Sequence, residues 1–301
     1  LRQGFNQIKK SNIVVLNSLN SEISQKCEEK IHNTYTVNSI GTGVLNNWAK
    51  QRKIPMIYLS TDFVFEGNLD GNHEHTLPSP KGHYSQSKYW GEMACSNYSN
   101  SSILRWTPLL HCFKLHHHPV GLVNRILSAS QKGSRLTLFN DKTISPVSSL
   151  SIAHTILQQR QNPILHVTSS KSLSIHEIAT VVLNRFGLSN RHYCSRFPVN
   201  KKYGKIRPQH SGMRSLYLKS QSIEQDLNQC FDFGNSISPI ENSTSTLQSF
   251  SLVALINCPL LIFLKGLPNK LKVRASNTVL LPAPFVPMIK VVACSLNFTS
   301  L

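Results

Sequence analysis

No acidic residue occurs between positions 242 and 301, which hold five Lys or Arg and neither Asp nor Glu. All 14 carboxylates lie within 1–241, beside 27 Lys and Arg. A segment so unlike the body of the chain reads as foreign to the fold. An atypical tail over 241–301, either an out-of-frame translation or a basic, disordered extension, is expected there. Paired cysteines are missing too. The seven at 27, 95, 112, 194, 230, 258 and 294 form no Cys-x-x-Cys pair, which argues against a disulfide framework and for reduced thiols in a cytoplasmic compartment. No apolar run is long enough to span a bilayer. Leu252–Leu264 covers 13 residues and is broken at Asn257, Cys258 and Pro259, against about 20 apolar residues for a spanning helix. No membrane partner is therefore expected. Nor does any dense Lys/Arg run interleave with aromatics, despite a formal charge of +18. A diffuse basic surface suits an anionic small substrate and gives no support to a nucleic-acid partner. The chain opens without Met or a signal pattern, and it contains no internal repeat.

What is present is an alternation of short apolar strands and amphipathic helices. Strands are predicted at Ile13–Leu16, Met56–Ser60, Ser102–Arg105, Leu136–Phe139 and Ile164–Val167. Helices are predicted at Glu28–Lys50, Tyr84–Ser96, Gly121–Lys132, Leu150–Gln159 and Ser174–Phe186, the last closed by Gly187. Gly41 and Gly43 weaken the first helix, which suggests that another element packs closely against it. This rhythm predicts an α/β fold: a Rossmann-type doubly wound parallel sheet over 1–135, then a smaller α/β lobe with interleaved segments over 136–240.

The chemistry concentrates in IYLSTDFVFEG (57–67) and GHYSQSKYWGE (82–92). Ser60, Thr61 and Asp62 follow an apolar strand, where open parallel sheets gather their functional groups. Tyr84, 23 residues after Thr61, and Lys88 share one face of a helix. A nearby ammonium favours phenolate, so Lys88 is expected to lower the Tyr84 pKa towards neutral pH. The phenol then gives a proton to a carbonyl oxygen that the Thr61 or Ser60 hydroxyl holds. The pair alone is weak evidence: with eight Tyr and 20 Lys, about half a Tyr-x-x-x-Lys match arises by chance. Its position after Ser-Thr-Asp carries the weight. Against this stands a plainer reading, in which Tyr84 and Lys88 form a solvated face and Ser-Thr-Asp a turn.

Together VVLN (14–17), KCEE (26–29), TVNSIGT (36–42), PMIYLSTDFVFEG (55–67), YSQSKYWGE (84–92) and ILRWTP (103–108) resemble the extended short-chain dehydrogenase/reductases. Within them, the chain is most similar to the dTDP-4-dehydrorhamnose reductase branch, which includes the regulatory subunit of methionine adenosyltransferase. Weaker echoes lie in FNDKTISP (139–146), ILHVTSSKSLSIHEIA (164–179) and RPQHSGM (207–213). The resemblance implies NADPH or NADH as cofactor, a nucleotide-linked sugar as substrate and reduction of its 4-keto group. It implies Thr61, Tyr84 and Lys88 as catalytic residues, and Asn38, Ser60, Tyr84 and Lys88 on the cofactor side. Asp62 and Arg207 fall on the substrate side, Arg207 facing a diphosphate. A second copy of the chain is a candidate partner. The alternatives are a non-catalytic NADP-binding regulatory subunit and an inactive, truncated reductase.

The sequence departs from that family in several places. It contains no Gly-x-x-Gly-x-x-Gly segment for a pyrophosphate. Counting back from IVVLN, about 50 to 60 further residues and the first two strands are expected upstream. Ser85 stands where the family usually has Gly, and the Gly expected after ILRWTP is missing. LHHHP (115–119) replaces another loop; its adjacent histidines are read as surface, and no metal site is expected.

Overall fold

The computed structural model describes residues 13–17, 24–68, 70–107, 121–158, 162–189, 191–198, 202–236 and 292–295. Two of the features named above, the 115–119 loop and Leu252–Leu264, lie outside them, as does the 241–301 tail apart from residues 292–295.

Short apolar runs give β1 (Ile13–Asn17), β2 (Met56–Leu59), β3 (Ser101–Trp106) and β6 (Ile164–Val167), all mutually parallel. The sheet order is β6-β3-β2-β1-β9, with β9 (Val292–Ser295) antiparallel on β1. Side chains alternate across the pleat, so β2 and β3 each feed two cores. Met56, Tyr58 and Ile103 point to one face, where they meet Leu45 and Ala49 of α3 (Thr42–Arg52) and Cys95 of α4 (His83–Cys95). Ile57, Leu59, Leu104, Leu165 and Val167 point to the other, against Leu150, Ile152 and Ile156 of α6 (Ser149–Leu157). Helices thus cover both faces of a parallel sheet, as the alternation of elements predicts.

The first helical region departs from expectation. Instead of one helix over 28–50 there are α1 (Ser24–Glu29), α2 (Ile31–Tyr35), a π-helical turn over Thr36–Gly41, and α3. Side chains compete with the helix ladder here. The Thr42 hydroxyl donates to the Asn38 carbonyl (2.7 Å), while Asn38 Nδ2 and Ser39 Oγ reach out to Ser87 of α4 (2.9 Å each). The close approach expected at the glycines is α4 itself, since a Cβ on Gly43 would lie 3.6 Å from Ala94.

A further core joins α5 (Gly121–Gln131), β4 (Thr137–Phe139), β5 (Thr143–Ile144), α7 (Ile175–Arg185) and α9 (Ile223–Ser236) through Val123, Ile126, Leu138, Ile144, Ile178, Val182 and Leu227. The helix α7 is closed by a capping box, Ser174 accepting from Glu177 N–H and Glu177 from Ser174 N–H. Two small sheets, β4 with β8 (Tyr193–Ser195) and β5 with β7 (Leu173–Ser174), and the short α8 (Lys202–Lys205) complete this part. Among the described residues, no helix is long and apolar enough to cross a membrane.

Candidate active site

The carboxyl end of β2 delivers Ser60, Thr61 and Asp62, and a single 3-10 turn over Asp62–Val64 folds the chain back. Thr61 caps that turn: its hydroxyl accepts from Phe63 N–H (3.3 Å) and donates to Asp62 Oδ1 (3.1 Å). Asp62 is 1% exposed, and its other oxygen accepts from the Ser211 hydroxyl (2.5 Å). Burial raises the Asp62 carboxyl from 3.8 to about 6, although Ser211, Lys142 and Thr61 all work the other way.

Tyr84 stands in the first turn of α4, its ring edge-to-face with Phe63 at 5.9 Å between centroids. The Thr61 hydroxyl and the Arg207 guanidinium stand close enough to the phenol to favour its ionised form. The expected pull of Lys88 on this phenol is reversed. Burial, and then the charge of Asp62, push the phenol above its ordinary value, with Thr61 and Arg207 opposing. Lys88 points elsewhere: its Nζ donates to the Leu59 carbonyl (2.7 Å) and lies 4.3 Å from the Tyr58 ring centroid. Burial lowers the Lys88 ammonium to about 8 against the opposing charge of Glu92.

Residues later in the chain bring cations to the same place. The Arg207 guanidinium lies 6.0 Å from the Phe63 ring centroid. Lys142, 7% exposed, donates to the Pro208 carbonyl and stands over the rings of Phe197 (4.6 Å) and Phe63 (5.8 Å). Burial lowers its ammonium to about 8, Asp62 opposing and Arg207 assisting. The Arg207–Pro208 turn is pressed on the loop after β2. Gly67 there has φ +84° and leaves no room for a side chain, since a Cβ would lie 2.2 Å from Pro208 Cβ.

Thr61, Asp62, Tyr84 and Arg207 therefore lie in one region, around Phe63 and the end of β2. The other three face inward. Ser60 Oγ donates to Glu92 Oε1 (2.5 Å), Asn38 is fully buried against Ser87, and Lys88 lies under the strand end. Lys142, Ser211 and Glu28 were given no role from sequence, although each falls in a quoted motif. Glu28 accepts from the N–H groups of His83 and Tyr84 at 3.0 Å. At the carboxyl end of β3, buried Thr107 Oγ1 and Trp106 Nε1 have no hydrogen-bond partner among the described residues. No group of three or more His, Cys, Asp or Glu suited to a metal ion occurs among the described residues.

Comparison with known proteins adds to this geometry. The chain is 31% identical over 134 residues to the probable low-salt glycan biosynthesis reductase Agl14 of Haloferax volcanii, covering 44% of this chain and 45% of that protein. It is 26% identical over 146 residues to methionine adenosyltransferase 2 subunit beta of Xenopus laevis, covering 46% and 43%. The matches span less than half the length of these curated relatives. Among solved structures, dTDP-4-dehydrorhamnose reductase of Bacillus anthracis in complex with NADP aligns at a TM-score of 0.64. That alignment has 20% identity and covers 73% of this chain and 79% of that one, which establishes a shared fold. The family model for the RmlD substrate binding domain matches residues 2–229. The chain belongs to the RmlD substrate binding domain family.

Proposed function

We propose that this chain carries the catalytic end of an NADPH- or NADH-dependent reductase acting on the 4-keto group of a nucleotide-linked sugar, with Tyr84 as the proton donor. The observation that carries the reading is the meeting of the Tyr84 phenol, the Thr61 hydroxyl and Arg207 beyond the carboxyl end of β2. When bound, the reduced nicotinamide supplies a hydride. Thr61 holds the carbonyl oxygen, and Tyr84, kept protonated by burial and Asp62, gives its proton to that oxygen as negative charge develops there.

Residues at the end of β3 suit the nicotinamide end of the cofactor. The Thr107 hydroxyl and the Trp106 indole N–H, without partners among the described residues, offer polar contacts at the strand end adjacent to β2, where an amide is a fitting partner. Lys88, with Asn38 and Ser60 behind it, completes the cofactor side. Arg207 and Lys142 face the substrate side, where paired cations suit a diphosphate, with Asp62 and Ser211 between. Residues 136–240 supply this substrate lobe. The relation to Agl14, named a reductase, supports the same class. The relation to methionine adenosyltransferase 2 subunit beta supports a second reading, a binding subunit without turnover.

One experiment separates them. Cofactor oxidation is followed at 340 nm with a dTDP-4-keto-6-deoxyhexose as substrate, and cofactor binding by fluorescence. Tyr84→Phe is expected to lower kcat by roughly 10²–10⁴-fold with cofactor affinity retained. An unchanged rate overturns the role of Tyr84. Saturable binding without turnover in the unmodified chain establishes the second reading.

A further inference from the structure

Helix α4 carries both Tyr84 and Lys88, so whatever fixes its first turn fixes the phenol. The first amides of a helix have no acceptor within it. Here one carboxylate from α1, more than fifty residues upstream, takes two of them: Glu28 Oε2 accepts His83 N–H and Oε1 accepts Tyr84 N–H, each at 3.0 Å. Negative charge is favourable at that helix end. The Gly82 N–H is met separately by Ser85 Oγ at 3.0 Å. Gly82 also leaves the slot that Glu28 occupies. A Cβ there would lie 2.8 Å from Glu28 Oε1 and 3.1 Å from Ile206, the residue before Arg207. Farther along, α4 is pinned without Glu28. Asn38 and Ser39 hold Ser87, Tyr58 donates to the Lys88 carbonyl (3.2 Å), and Asn46 to the Ala94 carbonyl (2.9 Å).

We propose that Glu28 is a positioning residue for Tyr84: its two carboxylate oxygens register the first turn of α4, and so hold the phenol against Thr61 and Arg207. The inference rests on the reading of Tyr84 as proton donor. Because the rest of α4 has its own anchors, losing Glu28 loosens the turn that bears the phenol and leaves the helix docked.

The test uses the full chain with Glu28→Ala, Glu28→Gln, Gly82→Ala and the Glu28→Ala/Gly82→Ala pair. Amide hydrogen exchange, melting temperature, kcat and KM are measured for each. In Glu28→Ala, protection at His83 and Tyr84 is expected to fall at least about tenfold while Ser87–Cys95 keep theirs. Its kcat is expected to fall roughly 10–100-fold at unchanged cofactor KM. Glu28→Gln, with one acceptor oxygen left, should lie between. Gly82→Ala should reproduce the loss by displacing the carboxylate, and add little once Glu28 is gone. Unchanged protection and kcat in Glu28→Ala overturn the proposal, as does a loss of protection spread evenly along α4. If the unmodified chain has no turnover, the reductase reading falls. The exchange pattern then upholds or overturns the clamp by itself.

Discussion

Ser60 and Thr61 are neighbours in the chain, yet their hydroxyls belong to two different polar clusters. Ser60 Oγ joins an inner one. Glu92 takes Arg105 in a two-pronged pair (Nε to Oε1 3.0 Å, Nη2 to Oε2 2.7 Å), with both side chains at most 3% exposed. Arg105 then reaches His166 Nε2 (3.5 Å), and His166 Nδ1 faces the carbonyls of Asn72 and Arg214, which assigns the ring proton to Nδ1. Burial brings the His166 imidazole down to about 4. Glu74 closes the far end: burial alone would raise its carboxyl, but hydrogen bonds from Ser215, Leu216 and His166 hold it below its ordinary value. Thr61 belongs to the outer cluster, where a carboxyl is raised to about 6, a phenol is raised, and Lys142 is lowered to about 8. The inner cluster matches each charge with a partner. The outer cluster keeps groups poised for another partner. Perturbed groups of the second kind mark sites of chemistry, and those of the first kind hold a fold together.

The largest test of this contrast is Arg105→Met. It leaves Glu92 buried without its cation, and breaking one side of such a pair costs about 3–5 kcal/mol, read from the denaturant midpoint. Replacing both partners, as Glu92→Leu/Arg105→Met, is expected to restore much of the loss. The same Arg→Met change at half-buried Arg207 should cost less than about 1 kcal/mol of stability, its effect falling on substrate KM. Equal losses at the two arginines would erase the distinction between the clusters.

Asp62 gives a smaller effect of opposite sign. Its carboxyl titrates near 6 in the folded chain against an ordinary 3.8. The native state therefore binds the proton more tightly than the unfolded chain does. The stability this contributes is complete below about pH 4 and is lost as pH rises through about 6, a difference of about 3 kcal/mol. Asp62→Asn stays neutral throughout. Its stability relative to the unmodified chain should thus rise between pH 4 and 6 and level off above 7. Taking the difference between the two curves removes the opposite slope from Glu74. A flat difference across that window would show Asp62 to be as well matched as Glu92, and the outer cluster would lose its distinctive member.

Much of the scaffold beneath both clusters was legible in the sequence. The runs IVVL, MIYL, SILR and ILHV are short and mostly apolar, as buried strands are, and all fall in the parallel sheet. Tyr84 and Lys88 share a helix as their spacing requires. That spacing fixes a face of the helix but not the depth of each side chain. Lys88, one turn farther along, sinks to the Leu59 carbonyl while Tyr84 stays by Thr61, so the local rule that an ammonium lowers a nearby phenol had no purchase. Lys142, Ser211 and Glu28 escaped because their partners are remote: Ser211 meets Asp62 across 149 residues. The break in the first helix had a local signal, the threonines and Asn38, but its acceptor on α4 did not.

Ser60 supplies the smallest and most discriminating prediction, because resemblance sets it on the cofactor side while its hydroxyl turns to Glu92. If it acts only through the inner cluster, Ser60→Ala removes one hydrogen bond to a carboxylate that keeps both of its bonds to Arg105. Such a loss is worth about 1–2 kcal/mol, visible as a lower unfolding midpoint with cofactor KM unchanged. A threonine in its place retains the hydroxyl and should recover most of the midpoint. If Ser60→Ala instead raises cofactor KM at an unchanged midpoint, the Ser60 hydroxyl leaves Glu92 when the cofactor binds. The boundary between the two clusters then runs through Ser60 itself, and the inner network becomes part of the cofactor site.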